Sequence, residues 1–265
     1  MKKILLLSLL LLSGIVKGLA QDYEMVDDRP GPYMNPYMWR FGVYFAPNVS
    51  WMKPTSAKVN DGEYRVRSGG SRVGYTWGLL AEYFFQPNYG IATGLQLNTT
   101  GGTIKTDRIE QDSLINTVYS SDFKYTLQYL EVPLQLKLRS DPIGQADGLQ
   151  VFGQLGITAG INIGKKATYT VGYTNSIGDY RVISGDHEKL EGSFTIAPVL
   201  LQLNIGGGIE KPITEKMSMY FGLFFNNAFA PDVTNPSKYE LGYKGEFADG
   251  NIRLNSFAFR FGLFF

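Results

Sequence analysis

The chain has no cysteine and a single histidine. Disulfides and cysteine-ligated metals are thereby excluded, and any histidine-based triad has only His187 to draw on. An excess of one charge is missing too: 25 basic residues stand against 24 acidic ones. A nucleic-acid partner, which calls for a strongly basic face, is not expected. Beyond the first 20 residues no stretch holds 18 continuous apolar residues, so no transmembrane helix is expected there.

Those first 20 residues read as a secretory signal peptide. Lys2 and Lys3 precede an apolar run from Ile4 to Leu12, and Gly18-Leu19-Ala20 supplies the small residues of a cleavage site before Gln21. No cysteine follows that site, which excludes a lipoprotein. Residues 21–38 carry Pro30, Gly31, Pro32 and Pro36 and read as an irregular periplasmic lead-in.

What the chain has in plenty is aromatic residues and glycine, with 17 Tyr, 17 Phe and 31 Gly. Its apolar residues recur with period 2, as strands require. Eight strands are expected near 39–52, 73–85, 89–100, 123–139, 149–164, 194–210, 217–229 and 253–265. Their connections alternate between short (86–88, 140–148, 211–216) and long (53–72, 101–122, 165–193, 230–252). That rhythm belongs to a meander crossing a membrane, with short periplasmic turns and longer outside loops. The expected fold for 39–265 is therefore all-β, an eight-stranded antiparallel up-and-down transmembrane barrel of outer-membrane type, with both termini periplasmic.

One face of each strand is apolar: Trp39, Phe41, Val43 and Phe45 on the first, Tyr75, Trp77, Leu79 and Ala81 on the second, Leu155, Ile157, Ala159, Ile161 and Ile163 on the fifth. None of these outward positions is charged. The observation carries weight because an Arg or Lys at the bilayer midplane costs about 2–4 kcal/mol. The opposite faces are polar and small, as with Gly90, Ala92, Gly94, Gln96 and Asn98. A soluble sandwich would invert this pattern. Tyr83, Phe85, Tyr89, Phe264 and Phe265 cluster at strand ends and suggest an interfacial girdle. The last strand presents Phe257, Phe259, Phe261, Leu263 and Phe265 on one face. Ending on an aromatic in this way resembles the C-terminal signal by which outer-membrane barrels meet the barrel-assembly machinery.

The fourth strand contains Tyr129-Leu-Glu-Val-Pro-Leu-Gln-Leu-Lys-Leu138. This segment resembles the Tyr-Leu-Glu-hydrophobic-Pro-Leu motif of the PorT-like outer-membrane barrel family of Bacteroidetes. The resemblance implies an eight-stranded outer-membrane barrel, and one branch of that family takes part in type IX secretion. Physically, the apolar set moves from odd positions (Phe123, Tyr125, Leu127) to even ones (Leu130 to Leu138). A β-bulge in this strand, with Pro133 beside it, is expected from that change.

Parity places Arg40, Glu82, Glu131, Glu210 and Arg260 inside the barrel. Eight strands enclose an interior that side chains just fill, and charges there must pair. The expectation is a salt-bridge and amide plug, shared with Gln96, Gln154 and Gln202, in which Arg260 meets Glu82, Glu131 or Glu210. A proton or ion path through the same residues is the alternative. His187, in Asp186-His187-Glu188, reads as a solvated loop residue, with Ser184 and Ser193 the nearest serines in sequence. It lacks the spacing of a zinc site. Gly206-Gly207-Gly208 has neither the spacing nor the context of a phosphate loop, and its glycines read as close backbone approach or bending. Loop one (Lys53, Lys58, Arg65, Arg67, Arg72) is locally basic and could meet anionic lipopolysaccharide.

No catalytic set, cofactor or metal is expected. The reading is a non-enzymatic barrel with a structural or binding role in the envelope. Its expected partners are outer-membrane lipid and lipopolysaccharide, the assembly machinery, and an envelope or secretion-complex protein. A narrow porin is the alternative, and a lipid-modifying barrel enzyme a weaker one.

Overall fold

The computed structural model describes residues 39–59, 63–109, 117–144, 148–190, 196–214, 217–229 and 252–265. The expected signal peptide and lead-in, 1–38, lie outside them. Ten strands follow in order: β1 (Trp39–Pro54), β2 (Lys58–Val59), β3 (Tyr64–Gln86), β4 (Tyr89–Arg108), β5 (Val118–Arg139), β6 (Gln150–Thr174), β7 (Tyr180–Lys189), β8 (Val199–Pro212), β9 (Ser218–Ala228) and β10 (Ile252–Phe264). Eight of these form one antiparallel ring, β1-β10-β9-β8-β6-β5-β4-β3, which closes because β1 pairs with both β3 and β10. Closure leaves the ring without an edge, the condition for β-structure in lipid. The short β2 pairs with β3, and β7 pairs with the upper part of β6.

Alternation sets the two faces. Trp39, Phe41, Val43, Phe45 and Val49 of β1 are exposed, while Arg40, Tyr44, Ala46, Asn48, Ser50 and Met52 are buried. The exposed set continues around the ring through Trp77, Leu79, Ile91, Leu134, Leu155, Leu201, Leu223 and Phe259, making an apolar band. In a soluble protein such a band would be an aggregation surface; a bilayer covers it. At the end of the ring that carries Trp39 and Phe264, Trp39 stacks on Phe41 and packs against Tyr83. Tyr89 and Phe85 are exposed near that rim, but Phe264, expected in the same girdle, points inward and is buried.

The strands run farther than their lipid-facing parts. β3, β4, β5 and β6 have 23, 20, 22 and 25 residues, whereas β8, β9 and β10 have 14, 11 and 13. Much of the expected loops one and two (53–72 and 101–122) is therefore strand. The reason is visible in the side chains: Tyr64, Val66, Ile104, Val118, Phe123, Tyr125, Tyr169 and Val171 continue the buried face, while Arg65, Arg67 and Lys124 stay outside. This part of the sheet rises past the apolar band as a wall.

The expected bulge falls on a different strand. β5 keeps its odd residues buried from Phe123 through Lys137 without a break. The apolar set changes parity there because Phe123, Tyr125 and Leu127 fill the interior while Leu130 to Leu138 face out. The register skip lies in the partner strand: Gln128 pairs with Gly164 and Tyr129 with Asn162, leaving Ile163 as the extra residue. Below it the even residues of β6 are buried (Thr158, Gly160), and above it the odd ones are (Ala167, Tyr169, Val171). A single extra residue has this effect because side chains alternate with period 2.

Candidate functional site

The interior is filled in levels, beginning at the end that carries Trp39. Arg40 of β1, Glu82 of β3, Lys137 of β5 and Glu210 of β8 meet there, all nearly fully buried. Arg40 donates to Glu82 at 2.5 Å and also to Glu210. Lys137 donates to Glu82 at 2.8 Å and to Glu210 at 2.9 Å. Each cation thus touches both acids, and the signs alternate around the ring. Ser218 adds a hydrogen bond to Glu210 at 3.1 Å. Aromatic rings close over the quartet, with the Arg40 guanidinium 4.4 Å from the Phe264 ring and Lys137 Nζ 4.7 Å from that of Phe152.

Above it, a level of hydroxyls and amides, with the Glu131 carboxylate among them, takes at least one residue from every ring strand. On one side Thr158 donates to Asn204, Asn204 to Asn226 at 2.6 Å, and Asn226 to Ser256 at 2.9 Å. On the other, Asn48 donates to Asn98 at 3.2 Å, Thr76 to Asn98 at 2.9 Å, and Asn98 to Glu131 at 2.9 Å. Tyr44 donates to Gln96, and Gln96 to Glu131. Buried polar groups without partners are costly, and these chains supply the partners.

The third level is mainly apolar, with Thr100, Thr106 and Ser121 also buried. Met52, Val66, Ile104, Val118, Phe123, Tyr125, Leu127, Tyr129 and Tyr169 form one buried cluster with Leu200, Ile252 and Leu254. The lumen is therefore only partly the salt-bridge and amide filling expected, because its upper part is hydrophobic core.

Of the five charged residues expected inside, Arg40, Glu82 and Glu210 come together, and Glu131 sits among the amides. Arg260 is buried but makes no ion pair within 4 Å among the described residues. Its guanidinium lies 3.9 Å from the Phe224 ring and 5.3 Å from that of Tyr44. Lys137 was missed, although its odd position in β5 is the parity of Glu131.

The exposed faces of the last strand behave as the alternation requires: Phe257, Phe259, Phe261, Leu263 and Phe265 all face outward. Phe261 and Leu263 line a shallow apolar groove of about 390 Å³ with Val43, Phe45, Met219 and Phe221. The glycines of β8 give the close approach expected. The Phe224 ring lies where a Cβ on Gly206 would stand, and the Phe221 carbonyl lies 1.9 Å from one on Gly208.

At the long-loop end the apolar band gives way to bases. On β1, β3, β4, β5, β6 and β10 the outward bases met there include Lys53, Arg65, Arg67, Lys105, Lys124, Lys166 and Arg253. Two have acids beside them, Arg67 with Asp107 and Lys105 with Asp122, each at 2.7 Å. His187 stands on the β6–β7 hairpin with φ 52° at another register skip, its ring 2.7 Å from Asp186. Ser184 pairs with Thr170 rather than with His187 in the register, and Ser193 lies outside the described residues. Contacts from His187 and Thr168 hold the Asp186 carboxyl below its usual range. Burial, with Glu188 at 2.7 Å, pushes the Tyr169 hydroxyl up to about 12. Among the described residues no cluster of His, Cys, Asp and Glu is arranged to hold a metal.

Several solved outer-membrane proteins resemble this chain at low identity. Ail, the attachment invasion locus protein of Yersinia pestis, is 15% identical over 86% of this chain and 97% of its own, with a TM-score of 0.32. OprG of Pseudomonas aeruginosa is 14% identical over 85% and 96%, with a TM-score of 0.38. The protease OmpT of Escherichia coli is 8% identical over 89% and 99%, with a TM-score of 0.36. No curated protein sequence matches the chain. The family described as outer membrane protein beta-barrel domain matches residues 20–224. With that match over most of its length and a closed ring of eight antiparallel strands, the chain belongs to this family of integral outer-membrane barrels.

Proposed function

We propose that this barrel is a closed, non-enzymatic outer-membrane protein that works through its surfaces. The observation that carries the reading is the filled interior. Among the described residues a quartet with balanced charge, a level of paired amides and a mainly apolar core fill the lumen in succession. In this reading residues 1–20 are the signal peptide, 21–38 the periplasmic lead-in, and both termini are periplasmic. The long loops and the wall of β3 to β7 then stand outside the cell, the collar of bases meets lipopolysaccharide, and the aromatic last strand serves assembly.

The Tyr129–Leu138 resemblance to the PorT-like family of Bacteroidetes gives the surface reading a more specific form, an accessory role beside a secretion complex of the type IX kind. The raised wall is the surface it offers to such a partner.

Planar-bilayer recording of the purified protein tests the closed lumen. A flat trace over the voltages that open narrow porins is expected; reproducible unitary steps would overturn the proposal in favour of a small-solute pore.

A further inference from the structure

We infer that the β1–β10 seam carries a binding site for a phosphorylated lipid headgroup, with Lys53 and Arg253 as its cations and Trp51 as its floor. The inference deepens the surface reading above and rests on it for which leaflet supplies the lipid.

Lys53 and Arg253 are direct cross-strand partners, and both are exposed on the outer face. Like charges placed opposite one another in a sheet repel and destabilise it. Elsewhere the same barrel neutralises such a pair internally: Arg67 stands opposite Lys105, and Asp107 and Asp122 each lie 2.7 Å from one of them. Among the described residues no carboxylate lies within 4 Å of Lys53 or Arg253. Within the described residues the seam thus holds two facing cations without a counter-charge, which an anionic ligand would supply.

The surroundings specify what that is. One row below, Trp51 lies opposite Asn255, and Asn227 donates its amide to Asn255. Below these, Trp51, Phe225 and Phe257 pack together, with Trp51 5.6 Å from Phe257 and Phe225 5.1 Å from Phe257. The apolar band continues beneath. Going from the long-loop end into the membrane, the seam offers a guanidinium and an ammonium, then the half-buried Asn227 amide and the Trp51 indole, then aromatic rings. A phosphate monoester or diester fits the first level, because an Arg fork and a Lys ammonium both bind its oxygens. A sugar or glycerol fits the second, and acyl chains fit the third. Free phosphate matches only the first. Lys166 stands opposite Lys189 on the hairpin. Among the described residues no aromatic contact comparable to that of Trp51 lies beneath this pair, so it serves as an internal comparison.

Native mass spectrometry of the detergent-solubilised barrel, with bis-phosphorylated lipid A as the probe, tests the site. Wild-type protein is expected to retain one lipid, with at least tenfold weaker retention of dephosphorylated lipid A. The double variant Lys53→Gln/Arg253→Gln should lose at least tenfold in retention, while Lys166→Gln/Lys189→Gln keeps it. Millimolar inorganic phosphate should leave the lipid in place. Equal retention by the seam variant would overturn the site, as would equal loss in the hairpin variant, which would show a diffuse charge effect. Displacement by inorganic phosphate would reduce it to an anion contact and overturn the lipid assignment. Both variants alter exposed side chains, and the slower gel migration after boiling reports that each barrel is folded. Loss of the site with a silent bilayer trace would refute this inference and leave the closed-lumen proposal standing.

Discussion

Lys137 and Arg40 each touch both Glu82 and Glu210, so removal of either cation leaves two buried carboxylates facing a single base. Breaking a buried pair in this way costs about 3–5 kcal/mol, because the stranded charge remains desolvated. Arg260 is a different case. No acid lies within ion-pair distance among the described residues, and its stacking on Phe224 is worth about 2 kcal/mol in a desolvated site. Urea unfolding in lipid vesicles should therefore show Lys137→Met losing clearly more stability than Arg260→Met. Equal losses would mean that the quartet is no more than ordinary lumen filling. Parity in the sequence was enough to turn Arg40, Glu82, Glu210 and Arg260 inward. It did not say which of them meet, because partnership depends on depth across strands far apart in sequence, Arg40 and Glu210 being 170 residues apart.

Among the elements, the lipid-facing segments were legible because each had to be apolar on alternate residues. The extensions of β3, β4 and β5 were not. Above the membrane the outer face of β3 and β4 is charged and the inner face apolar, the reverse of the pattern below, so a search for outward apolar residues ends at the band. The same reversal in β5 imitated a bulge, which lies instead at Ile163 of β6. The last strand adds a steric condition that its aromatic pattern hides. A Cβ on Gly262 would stand 2.0 Å from the Tyr220 ring of β9, so that ring is packed closely against the glycine. Gly262→Val would displace Tyr220 from the cover over the quartet, Lys137 Nζ being 5.9 Å from its ring. We expect the variant to reach the membrane with a lower unfolding temperature by circular dichroism. An unchanged midpoint would show that the ring can move without cost.

At the scale of the molecule, the absence of cysteine turns orientation into a clean experiment, since any single cysteine introduced is the only one present. Ile177, 77% exposed in the turn between β6 and β7, is a suitable site. Ile177→Cys should react with a membrane-impermeant maleimide on intact cells if the long loops are outside. Labelling only after the outer membrane is opened would reverse the proposed topology, and with it the leaflet assigned to the basic collar.

The extra residue at Ile163 also bears on how relatives of this chain can vary. It divides β6 into two independent reading frames joined at one point. A one-residue insertion within 151–161 would turn Leu155 and Ile157 toward the lumen and Gln154 and Thr158 toward lipid. The same insertion just above Ile163 would be taken up where the ladder is already interrupted. Length changes in β6 should therefore collect at this joint and be absent below it, so the outer wall can be remodelled while the membrane-spanning frame stays fixed.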